Sequence, residues 1–112
     1  EIHRAIAEAV AAVRKIRARG GEVVFIRPPS AGPFLERELR RAPRAETWDR
    51  LLRETGRFGI YYADYPAMRA LEPPEWSHLT REDAARFTRA YVAVLMREVP
   101  GLRRDAAAGA AP

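Results

Sequence analysis

Apolar residues recur every three or four positions at the start of the chain, where Ile2, Ile6, Val10, Val13 and Ile16 are separated by Arg4, Glu8, Arg14 and Lys15. That period predicts an amphipathic helix over 2–19, and Gly20-Gly21 stops it. Glu22-Val23-Val24-Phe25-Ile26 follows, a β-branched and aromatic run without alternation. Such a run predicts a strand covered on both faces, as in a parallel sheet, ended by Arg27-Pro28-Pro29. Ser30 to Pro33 reads as loop, and Phe34 to Arg41 as a short helix with Leu35 and Leu39 on one side, broken at Ala42-Pro43. Trp48, Leu51 and Leu52 place a helix over 46–55, with Gly56 as its C-terminal cap.

Phe58-Gly59-Ile60-Tyr61-Tyr62-Ala63 predicts a second buried strand that delivers Asp64 at its carboxyl end. Pro66, Pro73 and Pro74 make the next stretch irregular, with one helical turn around 67–71. The last helix carries the strongest signals. Thr80 with Asp83 three residues on is a capping pattern, and Phe87, Tyr91, Val94 and Leu95 form its apolar stripe, ending near Val99-Pro100-Gly101. The sequence from Arg103 onward, rich in alanine, predicts a disordered tail over 103–112.

The order helix, strand, helices, strand, helix is the rhythm of an α/β layered domain with parallel strands. Two strands are too few to cover both edges of such a sheet, so the expectation is an incomplete domain whose missing strands come from elsewhere or from self-association. At 112 residues the chain is one domain at most, or part of a larger one. Its opening at Glu1, with no basic and then apolar leader, reads as a processed end or a cut boundary, and leaves localisation open.

Composition excludes several classes. A hydrophobic fraction of 47% rules out wholesale disorder, and no apolar run approaches the roughly 18 residues of a membrane span. The absence of cysteine excludes disulfides and thiolate metal sites. Two distant histidines among scattered acids give no metal-ligand spacing, so no metal and no cofactor is expected. A net charge of +5 invites a nucleic-acid partner, but arginines lie in every segment with acids such as Glu36, Glu38, Asp49 and Asp83 between them. That pattern describes a mixed solvated surface, and no nucleic-acid partner is expected.

The chemistry concentrates in Pro74-Glu75-Trp76-Ser77-His78-Leu79-Thr80. Histidine both takes and gives protons near neutrality, and a carboxylate three residues earlier can fix its tautomer and stabilise its charged form. In open α/β sheets, ligands gather beyond the carboxyl ends of the strands, where Arg27 to Ser30, Asp64 and the Glu75–His78 loop would emerge. Each has a plainer alternative. His78 could hydrogen-bond the capping region of the last helix, Asp64 could cap the turn after Tyr65 or orient His78, and Arg27 could bind an anionic group or pair with Glu36 or Glu38. Ser30 could cap a helix or act as a nucleophile, Trp76 could pack or wall an acyl or sugar pocket, and Ser77 is expected to point away from His78.

Together, Gly21-Glu22-Val23-Val24-Phe25-Ile26-Arg27, the strand ending in Asp64-Tyr65, and Glu75-Trp76-Ser77-His78-Leu79 before Asp83-Ala84 resemble the carboxyl-terminal part of the SGNH (GDSL-type) hydrolase family. The resemblance covers about residues 2–98. It implies a three-layer flavodoxin-like α/β fold, with 1–102 its carboxyl-terminal half, and a serine esterase or acyltransferase acting on an acylated carbohydrate or other small ester. His78 would be the base and Glu75 the orienting acid, with Arg27, Ser30, Asp64 and Trp76 toward the substrate. Glu75 stands where that family has Asp, and the family's Gly-Asp-Ser nucleophile block has no counterpart here. The chain would then supply base and acid but be inactive alone. The rival expectation is a non-catalytic module that binds a protein or carbohydrate partner through the same surface.

Overall fold

The computed structural model describes residues 1–102, and the predicted tail over 103–112 lies outside them. Five α-helices carry most of the chain: α1 (Ile2–Ala18), α2 (Gly32–Arg41), α3 (Trp48–Thr55), α4 (Pro66–Arg69) and α5 (Arg81–Glu98). Two strands of three residues each, β1 (Phe25–Arg27) and β2 (Gly59–Tyr61), pair in parallel with Ile26 opposite Ile60. Short 3-10 turns at Arg44–Glu46 and Tyr62–Asp64 lead into α3 and α4.

Both strands are shorter than their apolar runs, for local reasons. Ahead of β1 the amide of Val23 is bonded to the Glu22 carboxylate at 2.9 Å, and the same carboxylate is held by Arg17 and Arg57. The chain therefore joins the ladder only at Phe25, whose N–H donates to Phe58. At the other end Tyr65 N–H donates to the Tyr62 carbonyl, closing a turn where the run predicted more strand. Strand alternation ends there too. The adjacent rings of Tyr61 and Tyr62 stack 5.5 Å apart, whereas successive strand residues point to opposite faces.

The expected three-layer flavodoxin-like fold is corrected by this architecture. Among the described residues the sheet has only two strands, order β1-β2, and helices supply most of the packing surface. Two three-residue strands cannot present the broad faces on which helix layers would stack. All three residues of β1 are only partly buried, so the expectation of a strand covered on both faces fails for it.

The core forms instead around β2. Ile60, Tyr61, Tyr62, Met68, Phe87 and Val94 make one buried cluster, with Ile26, Trp48 and Leu79 packed against it. Two of the α5 positions predicted apolar, Phe87 and Val94, face this cluster. Helix α3 lies close on the strand pair at Gly59, where a Cβ would come within 2.6–2.8 Å of the Leu52 and Trp48 side chains. Helix α1 packs against α3 through a shorter seam than its periodicity predicts, with Ile6 and Val13 buried and Ile2 and Ile16 exposed. None of the described helices is long and apolar enough to cross a membrane.

Candidate functional site

The loop between α4 and α5 is pinned before it reaches its histidine. Pro73 is fully buried, and its carbonyl accepts the N–H of Trp76 at 3.1 Å. Trp76 then adopts φ 78°, the only positive value at a non-glycine residue among those described. A bulky residue rarely takes that conformation unless its surroundings compel it. Here the compulsion is the loop ahead of α2: the Trp76 carbonyl accepts the Ala31 N–H at 3.0 Å, and its indole lies on Gly32. A Cβ at Gly32 would stand 2.7 Å from the indole Cδ1 and Nε1.

The reversal at Trp76 folds Glu75 back over the two residues that follow. Its Oε1 accepts the backbone N–H of Ser77 at 3.0 Å and that of His78. Its Oε2 accepts the Ser77 hydroxyl at 2.8 Å and lies 3.3 Å from His78 Nδ1. Ser77 Oγ is itself 2.9 Å from Nδ1. This arrangement corrects the expectation that Ser77 points away, because the shared carboxylate draws hydroxyl and ring to one place. A deprotonated carboxylate offers only acceptors, so a hydrogen bond between Glu75 and the ring requires Nδ1 to be its donor. Nε2 has no hydrogen-bond partner among the described residues, and the side chain is 84% exposed. The Ser77 hydroxyl, followed by the His78 imidazole and the two backbone amides, pushes the Glu75 pKa down to about 2.

The other predicted site residues lie in separate networks. Arg27 donates to Ser30 Oγ and to Glu38 Oε1, each at 2.9 Å, and Ser30 Oγ donates to the same Glu38 oxygen at 2.8 Å. Ser30 is buried, and its hydroxyl bonds no histidine. Asp64 caps no helix and does not meet His78. Its two oxygens accept both terminal nitrogens of Arg44 at 2.8 and 2.7 Å, because the Tyr62–Asp64 turn carries it toward the Arg44–Glu46 turn. Arg44 also pairs with Asp49 and lies 4.0 Å over the Tyr61 ring. That guanidinium holds the Asp64 carboxyl below its usual range.

Sequence reasoning missed Arg44, since its main partner is twenty residues away and nothing local marks it. It also missed an open groove of about 530 Å3 beside α2 and α3, lined in part by Phe34, Leu39 and Trp48. Among the described residues no three histidine, aspartate or glutamate side chains gather as a metal site would require. The Glu75–Ser77–His78 cluster sets a carboxylate against one ring nitrogen of His78 and leaves the other without a partner among the described residues. Comparison with known protein families, with curated proteins and with solved structures found no match for this chain.

Proposed function

We propose that this chain carries the base and orienting acid of an SGNH-type serine esterase or acyltransferase, and that the attacking serine comes from outside this sequence. The observation that supports the reading is the engagement of His78 Nδ1 by Glu75 while Nε2 stands open. A general base in acyl transfer needs that asymmetry: one nitrogen fixed by a carboxylate, the other free to take the proton of the nucleophile.

In the proposed reaction the serine oxygen bonds to the ester carbonyl carbon as its proton passes to Nε2. Glu75 stabilises the resulting imidazolium without taking its proton. Collapse of the tetrahedral intermediate breaks the bond to the alcohol, which leaves with the proton from Nε2. Water, or an acceptor hydroxyl, then bonds to the acyl carbon as its proton passes to Nε2; the acyl–serine bond breaks, and Nε2 returns that proton to the serine oxygen. Glu75 reaches the ring despite its extra methylene, because the Trp76 reversal brings the longer side chain back. The substrate class, an acylated carbohydrate or other small ester, rests on the resemblance alone.

Ser77 is a poor nucleophile in this geometry. Its hydroxyl proton is directed at a carboxylate whose pKa is near 2, which makes a weak base, and it meets Nδ1 instead of the open Nε2.

Labelling the native gene product with a fluorophosphonate tests the reading. The expected label falls on a serine outside residues 1–112, and His78→Ala lowers esterase turnover by roughly a thousandfold or more with an unchanged melting temperature. A label on Ser77 would replace the assignment of the nucleophile. No label, or full turnover in His78→Ala, would remove the catalytic reading in favour of a binding module.

A further inference from the structure

The groove beside α2 and α3 owes nothing to the Glu75–His78 cluster and has a chemical character of its own. Phe34, Leu39, Trp48, Leu51 and Tyr61 give it an apolar, largely aromatic lining. Phe34 and Leu39 remain 45% and 47% exposed there. Four arginines also line the groove, Arg27, Arg37, Arg41 and Arg44, against a single carboxylate, Glu38.

Two of those arginines are already engaged. Arg27 is bonded to Glu38 and Ser30, and Arg44 is bonded to Asp64 and Asp49. Arg37 and Arg41 are both exposed and have no ion-pair partner among the described residues. They stand four residues apart on α2, which makes them neighbours on one helix face. The groove thus sets the exposed Phe34 and Leu39 beside two cations that have no ion-pair partner among the described residues.

We propose that this groove binds a single-chain anionic amphiphile, with the hydrocarbon chain against Phe34, Leu39, Trp48 and Leu51 and a phosphate or carboxylate head between Arg37 and Arg41. An apolar ligand without charge would leave the two guanidinium groups unanswered. A small polar anion would leave the apolar lining of the groove uncovered. The groove falls in the roughly 300–1,000 Å3 range of small-molecule sites, and its few charged groups set beside an apolar surface are what such sites use to orient a ligand. Guanidinium groups suit the head, since each can donate two parallel hydrogen bonds to a phosphate or carboxylate.

Calorimetric titration of the native gene product with decyl phosphate, below its micelle concentration, tests the assignment. Inorganic phosphate and decanol serve as the two half-ligands. The expected result is one-to-one binding of decyl phosphate at least tenfold tighter than either half-ligand, with a shift of the Trp48 indole resonance. Octyl phosphate should bind roughly fifteenfold more weakly, since each of its two missing methylenes is worth about fourfold. The double variant Arg37→Ala/Arg41→Ala should lose at least tenfold in affinity with its melting temperature unchanged, both side chains being exposed.

Equal affinity for inorganic phosphate, binding indifferent to the double variant, or no binding at millimolar decyl phosphate would each overturn the proposal. Sedimentation of the same chain provides an independent check. A concentration-dependent dimer abolished by Leu39→Glu would assign the groove to self-association and overturn the amphiphile site.

Discussion

Glu75 shows how a single carboxylate organises a loop. It accepts two backbone N–H groups, one hydroxyl and one imidazole within four residues, and every one of these partners favours its charged form. Because its pKa in the fold lies below the usual 4.5, at about 2, this network stabilises the fold fully above pH 4.5 and loses that contribution as pH falls toward 2. The carboxyl carbon resonance of Glu75 should therefore titrate near pH 2. Ser77→Ala should move that midpoint up toward 4.5, because the hydroxyl is the largest cause of the depression. A wild-type midpoint at 4.5 would mean the network does not form in solution. Tyr62 is displaced in the other direction: burial raises its pKa, so it stays neutral well into the alkaline range.

Two elements hold that loop from either side. Thr80 caps α5 by accepting the Asp83 N–H at 3.1 Å, while the Asp83 carboxylate turns outward to Arg86 instead of completing a reciprocal pair. The cap alone carries the helix start, so Thr80→Ala should cost about 1 kcal/mol in urea denaturation. On the opposite side, Gly32 sits at φ 56° directly beneath the Trp76 indole. Gly32→Ala demands both a left-handed alanine and a displaced ring, and should cost about 1–3 kcal/mol. Its distinguishing signature is local: Trp76 fluorescence should shift red, and the Glu75 titration should move toward its ordinary value. Loss of stability with the Glu75 midpoint unchanged would separate the indole contact from the order of the loop.

At the scale of the whole molecule, the strand pair is too small to be a platform, and β2 acts instead as a central post. Ile60 has no exposed surface, and the aromatic residues after it reach α3 on one side through Trp48 and the Ser30 carbonyl on the other through the Tyr62 hydroxyl. Ile60→Ala should cost about 2–5 kcal/mol, a large share of the roughly 5–15 kcal/mol by which domains are stable. A broad, uncooperative urea transition in that variant would be the sign that the core no longer closes. The Arg44–Asp64 pair joins the two 3-10 turns across twenty residues, but both side chains are more than a third exposed. Arg44→Ala should therefore cost only about 1 kcal/mol.

The sequence by itself determined what depends on neighbours within a turn or two. The helices over Ile2–Ala18 and Arg81–Glu98, the Thr80 cap and the left-handed Gly56 stop follow from period and local chemistry, as does the shortness of each strand, where Glu22 takes the Val23 amide and Tyr62 takes that of Tyr65. So does the proximity of Glu75 and His78, three residues apart. Only the tertiary structure decided that the two apolar runs pair in parallel, with Ile26 opposite Ile60. It alone set Asp64 on Arg44, turned Ser77 inward through a reversal imposed by Gly32 at Trp76, and left Arg37 and Arg41 beside an apolar groove. These outcomes depend on segments many residues apart meeting in space, and no local pattern of apolar and polar positions encodes that meeting.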